Sequence, residues 1–223
     1  MMTRRTPLVG VRGAFLYAAD GTTIVDEKMS FVENSLTPGQ LLKVYSRGSS
    51  INTAVNSGKL YVYSGGIATG AQLIQLNTNT YNGGLYVYSG GVAEDVFVKV
   101  LRNDALCMFV MDGGVANNCT TEGGIIAIET GGVANDCIAT AFTGGYTRII
   151  LVNSGGIANN SVIRGTQNVY GTSNDTEIYG NVGTENVGSG GVSNRTKVFK
   201  AGTLNVLNGG TANDATIYNE IGR

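Results

Sequence analysis

Apolar and polar positions alternate with period two in short runs that recur along the chain. Examples are LYVY from Leu60, LYVY from Leu85, IAIE from Ile126 and ILVN from Ile150. Alternation of this kind marks a strand with one buried face. Each run ends in glycine, and the full phrase is aliphatic-x-Val-x-Ser-Gly-Gly-Val-Ala-Asn-Asp with variations. The first glycines stand at Gly65, Gly90, Gly113, Gly131, Gly155, Gly190 and Gly209, 18 to 25 residues apart except for one gap of 35. A degenerate copy at Gly171 fills that gap, and another begins at Leu42. About nine units result.

Aligned in register, the units form columns. Val44, Val62, Val87, Val110, Ile128, Val152, Val187 and Val206 precede the first glycine by three residues. Leu42, Leu60, Leu85, Met108, Ile126, Ile150 and Leu204 lie two residues earlier, with Glu185 the one exception. After the glycines, one column reads Ala68, Ala93, Ala116, Ala134, Ala158, Ser193 and Ala212, and others pass through Cys119 and Cys137 and through Leu73, Val98 and Ile163. Each unit therefore reads as two short strands, closed by the Gly-Gly turn and by a second, weaker glycine turn at positions such as Gly58, Gly83-Gly84, Gly144-Gly145 and Gly202. A helix is excluded, because paired glycines in every unit would cost it about 1 kcal/mol each. The pattern predicts an all-β fold: a single-stranded β-solenoid of about nine coils, held by stacking of neighbours. At a strand spacing of roughly 4.8 Å, the rod is on the order of 40 Å long.

Residues 1–40 do not repeat. FLYAADGTTIV, with Asp20-Gly21 at its centre, predicts a β-hairpin. A solenoid needs a cover over its unpaired end strand, so 1–40 is expected to be an N-terminal β cap and 41–223 the solenoid.

Composition narrows the chemistry. The 223 residues include 34 Gly but only 2 Pro, which excludes collagen. The formal net charge of -1, from 15 basic and 16 acidic residues, gives no drive toward nucleic acid or anionic membrane. With no His, the commonest acid/base catalyst and metal ligand is missing. Phosphate-binding loops, nucleophile elbows and calcium-binding nonapeptides are absent, and carboxylates do not cluster. No enzymatic activity, cofactor or metal is expected. No run is long enough to span a membrane, and no signal peptide is visible in this chain.

SGG(V/I/T)A(N)(N/D) followed by a strand resembles the AIDA-type repeat of bacterial autotransporter adhesins, over about residues 42–220. The resemblance implies a right-handed β-helical passenger, secreted or displayed on the cell surface. It also implies adhesion to a host or cell-surface protein or glycan, self-association with a possible homo-oligomer, and, in some members, glycosylation on Ser or Thr. The rival reading is a segment of a phage tail spike or injection-system fibre, possibly trimeric and glycan-binding.

Two groups of residues are candidates for contact. Tyr61, Tyr63, Tyr86 and Tyr88 alternate with the buried Leu and Val, so they should face outward as a two-by-two patch continued by Phe109 and Met111. Exposed rings suit protein or sugar contacts; stacking across strands, or cover by the N-terminal cap, would equally explain them. Asn117, Asn135, Asn159, Asn174, Asn194 and Asn213 fill one column, with Asn118, Asp136, Asn160, Asp175 and Asp214 in the next. These fit an amide ladder at a corner, or a polar stripe for self-association or glycan contact. Cys119 and Cys137 share an inward column, as buried thiols or as a sterically conceivable disulfide.

Overall fold

The computed structural model describes residues 11–75, 83–100, 106–140 and 148–218. They contain no helix. Parallel coils stack into a β-solenoid of about nine turns. The gap of 35 residues closes as the repeats require: Val152 pairs with Val169, and Val169 with Val187.

Each coil carries three strands rather than two. The first ladder stacks Leu41–Val44, Lys59–Val62, Gly84–Val87, Leu106–Val110, the second half of Thr120–Ile128, Arg148–Val152, Thr166–Val169, Thr184–Val187 and Thr203–Val206. The second ladder is a separate ten-stranded sheet of three-residue strands, from Ser30–Val32 to Thr211–Asn213. The third runs from Ser35–Leu36 to Thr216–Ile217. The extra division falls at the second Asn/Asp column. Asp95, Asn118, Asp136, Asn160, Asp175 and Asp214 all have φ of 53° to 56°. Asn and Asp tolerate this left-handed backbone better than other non-glycine residues. Their backbone N–H groups donate across coils, as from Asn118 to the Asn135 carbonyl at 3.0 Å.

The two glycines of each main corner serve different needs. The first has φ of +67° to +80°, from Gly65 to Gly209. The second lies against the preceding coil, where a Cβ on Gly91 would sit 2.6 Å from the Val62 carbonyl oxygen and one on Gly66 2.7 Å from that of Val44. Apart from a two-residue shortening of the main corner at Tyr170-Gly171, coil-length differences fall elsewhere, between the third strand of one coil and the first strand of the next. The glycine turn expected at Gly144-Gly145 lies outside the described residues.

At the N-terminal end Ala14–Tyr17 (β1) and Ile24–Lys28 (β2) form the antiparallel hairpin, and the Asp20 carboxylate accepts the Thr22 and Thr23 amide protons at 2.8 Å. Antiparallel pairing of β1 with Leu41–Val44 lays the hairpin over the first coil's edge. Parallel stacking nevertheless starts before residue 41, because Ser30–Val32 and Ser35–Leu36 already pair with Ser49–Ile51 and Ala54–Val55. Those residues lack the repeat phrase, so periodicity does not reveal them.

Inward columns make the core: Leu42, Leu60, Leu85, Met108, Ile126 and Ile150 are fully buried, as are the stacked Val and Ala columns beside them as far as Val187 and Ala158. Gly91→Ala should destabilise the rod by at least about 2 kcal/mol through collision with backbone. Gly180→Ala, at φ +74° with open space around it, should cost only about 1 kcal/mol. Urea midpoints of the two variants check the difference.

Candidate functional site

The outward face of the first ladder gathers the sequence-identified tyrosines. Strand pairing sets Tyr61 beside Tyr86 and Tyr86 beside Phe109. Their rings stack with centroids 5.1 and 4.7 Å apart and interplanar angles of 25° and 3°. In the neighbouring column Tyr63 stacks on Tyr88 at 5.0 Å and 7°. Tyr45 extends that column at 4.8 Å from Tyr63, and Phe15 of the hairpin closes it edge-on at 5.8 Å. All four candidate tyrosines thus come together, half-buried. The V-Y-S of the degenerate first repeat, aligned with V-Y-S at Tyr63 and Tyr88, was the available signal for Tyr45.

Stacking along the rod axis decides what the patch presents. Ring faces are occupied by the rings of adjacent coils, so edges and phenol tips point out. A sugar packs on an open ring face, whereas edges with hydroxyls suit a protein surface. Burial raises the pKa of Tyr61, Tyr63, Tyr86 and Tyr88, that of Tyr63 to about 12, with neighbouring phenols adding to the shift for Tyr61, Tyr63 and Tyr86.

Charge is graded along this face and the main corner that adjoins it. Lys43 and Arg47 lie in the first coil, Lys43 reaching over the Tyr17 ring at 4.4 Å. Asp112 and Glu129 lie beyond Phe109, and Glu129 accepts a hydrogen bond from Asn153 at 2.9 Å. The sequence runs basic, aromatic, acidic over five coils.

The asparagines form a continuous amide ladder on the second sheet. Asn135 donates to Asn117, Asn159 to Asn135, Asn174 to Asn159, Asn194 to Asn174 and Asn213 to Asn194, each at 2.9 or 3.0 Å. Each inner amide thereby spends its oxygen and one N–H on its neighbours. A second ladder, Asn168–Asn186–Asn205 at 2.9 Å, stands on the first sheet below the aromatic columns. Its signal is the Asn-Val pair before each turn. A second aromatic stack, Tyr179–Phe199–Tyr218, has centroids 4.4 and 4.9 Å apart and lies nine residues past the main turn position.

No three His, Cys, Asp or Glu side chains group together in the described residues. Cys107, Cys119 and Cys137 are buried thiols with no disulfide between them, and burial pushes Cys107 up to about 12. Among the described residues, no helix is long and apolar enough to cross a membrane.

No family model matches the sequence, and no curated protein matches it. Among solved structures, the TibC-catalysed hyper-glycosylated fragment 55–350 of TibA is 27% identical, over 85% of this chain and 72% of the fragment, with a TM-score of 0.70. The repeat region is TibA-like. The rod is thus similar in fold to that glycosylated TibA fragment.

Two measurements check this site. Asn135→Ala removes one hydrogen bond from each side of the ladder and should cost about 1–2 kcal/mol in urea unfolding. For the tyrosines, a folded pKa above the unfolded value of 10 means the stabilisation is complete below pH 10. It is lost between pH 10 and about 12, as the unfolded chain ionises first. Stability should therefore fall over that window, and Tyr63→Phe should flatten the fall.

Proposed function

We propose that this chain is a non-catalytic adhesive module of the bacterial surface, acting through the outward face of its first ladder. The carrying observation is the stacked tyrosine patch, whose ring edges and hydroxyls face solvent while its ring faces are satisfied internally. Similarity to the TibA fragment supports secretion or surface display.

The geometry favours a second copy of the chain as partner. Lys43 and Arg47 lie at one end of the face and Asp112 and Glu129 at the other, with Tyr86 and Tyr88 midway. Antiparallel packing about a two-fold axis at that midpoint sets basic end against acidic end in both halves, the self-complementarity an isologous interface requires. Repetition along a cell surface then adds weak contacts through avidity. The Asn ladders serve as scaffold in this reading.

Tyr61→Ser with Tyr86→Ser should abolish clumping of cells that display the chain, with circular dichroism unchanged. Unaltered clumping by the folded variant would show that the patch is only structural. Lys43→Glu with Arg47→Glu should weaken clumping about tenfold, and Glu129→Lys should partly restore it.

The corner serines support a modification reading. Ser64, Ser89, Ser154 and Ser189 are exposed, each directly before the first glycine of a turn. They form a column of accessible hydroxyls, and the TibA fragment is described as hyper-glycosylated by TibC. Co-expression with TibC should add glycosyl masses at these serines; an unchanged intact mass would exclude them as acceptors of that enzyme.

A further inference from the structure

The core changes chemistry part-way along the rod. From Leu42 to Ile150 the widest inward column is aliphatic, but Gln167 and then Glu185 occupy it in the next two coils before Leu204 restores it. Both polar side chains are fully buried. The adjoining columns change in the same coils, as Ala158 gives way to Ser173 and Ser193, and Cys137 to Ser161, Thr176 and Thr196.

These groups form one network. Glu185 Oε1 accepts from Gln167 Nε2 at 2.9 Å and from Ser173 Oγ at 2.7 Å, and Oε2 accepts from Ser193 Oγ and Thr196 Oγ1 at 3.0 Å. Gln167 also donates to Thr176 at 3.1 Å. Two atoms at the network's upstream margin, Ser161 Oγ and Gln167 Oε1, are buried without a hydrogen-bond partner. Hydrogen bonds in a core largely replace those made to water, while apolar burial adds directly to stability. Unpartnered buried atoms subtract from it.

An independent feature breaks at the same coil. Along the main corner, first-glycine amides bond from coil to coil: Gly65 to Gly90, Gly90 to Gly113, Gly113 to Gly131 and Gly131 to Gly155. The turn after Val169 holds only Tyr170 and Gly171 before the strand Thr172–Asn174, where Val152 is followed by Asn153, Ser154, Gly155 and Gly156. With that position deleted, the glycine ladder stops at Gly155 and resumes only from Gly190 to Gly209. Downstream coils are instead tied by polar contacts at the surface, Arg195 to Asp175 at 2.7 Å and Lys197 to Glu177 at 3.1 Å.

We infer that the solenoid is two cooperative units in series, and that the junction between the Ile150 and Gln167 coils, at the upstream margin of the polar core, is a built-in parting plane from which residues 164–218 open together. In a quasi-one-dimensional fold, stability is a sum of coil and nearest-neighbour terms, so one weak interface divides the rod. Opening this unit would shorten or soften the rod while leaving the tyrosine patch intact.

Hydrogen exchange read by mass spectrometry on the full chain tests this. The expected result is a step: amides from 164 to 218 exchange as one group, about tenfold or more faster than those of 41–160. Protection that declines smoothly toward Tyr218 would be end fraying and would overturn the proposal, as would uniform protection. Gln167→Leu with Glu185→Leu restores the aliphatic column and should raise protection of 164–218 about tenfold; a folded variant with an unchanged step overturns the assignment to this network. Glu185→Gln separates polarity from charge, and the step should persist in it. If the leucine variant does not fold, the profile of the unaltered chain and of Glu185→Gln decides.

Discussion

Every side chain in the rod has the same position of the next coil as its neighbour, about 4.8 Å away. This enforced adjacency organises the rest. A residue tolerated at one level must be tolerable beside its equivalents above and below, so columns become uniform: valine on valine, alanine on alanine, tyrosine on tyrosine, asparagine on asparagine. The same constraint sharpens the corners, because each turn passes directly over another turn. The second glycine of each pair is held there by the carbonyl beneath it, as Gly91 is by Val62. Side chains outside the core obey the same rule. Stacked phenols and linked amides are what two polar types do when forced into register at strand spacing.

Uniform columns explain why so much was legible in the sequence. Residues that stack must be similar, so the repeat register could be read from identities alone, including the copy around Gly171. The tyrosine patch and the Asn117–Asn213 stripe followed from the same alignment. Other features left weaker marks. A strand of three residues such as Val92–Glu94 is too short for alternation to show where it ends, so the left-handed corner at Asp95 was hidden within one longer apparent strand. Ser30–Val32 enters the stack with Phe31 inward, but no glycine pair announces it. Ring orientation was not legible either, since alternation gives the face a tyrosine occupies and not whether its plane lies open.

Glu185 shows the opposite case. It stood out as a break in an otherwise aliphatic column, yet a single exception does not say whether the side chain turns away or stays buried. The partners that keep it inside come from three different columns: Gln167, Ser173 with Ser193, and Thr196. Gln167 breaks the same aliphatic column from within the degenerate copy, and the serines and threonine are unremarkable in theirs. Only folding brings them to a common point. The network is thus a property of the cross-section, whereas the repeat is a property of the axis, and sequence periodicity reports on the axis.

The placement of coil-length differences has a separate implication. The three ladders hold their register, apart from shifts at Val98/Lys99 and Leu106/Met108, while the segment between the third strand of one coil and the first of the next ranges in length. One longitudinal edge of the rod is therefore exempt from the column rule. Along that edge sequence can be added or removed without disturbing any neighbour, much as a book accepts loose leaves only at its open side. Natural diversification, and the grafting of foreign loops at chosen heights along the shaft, should both be concentrated there.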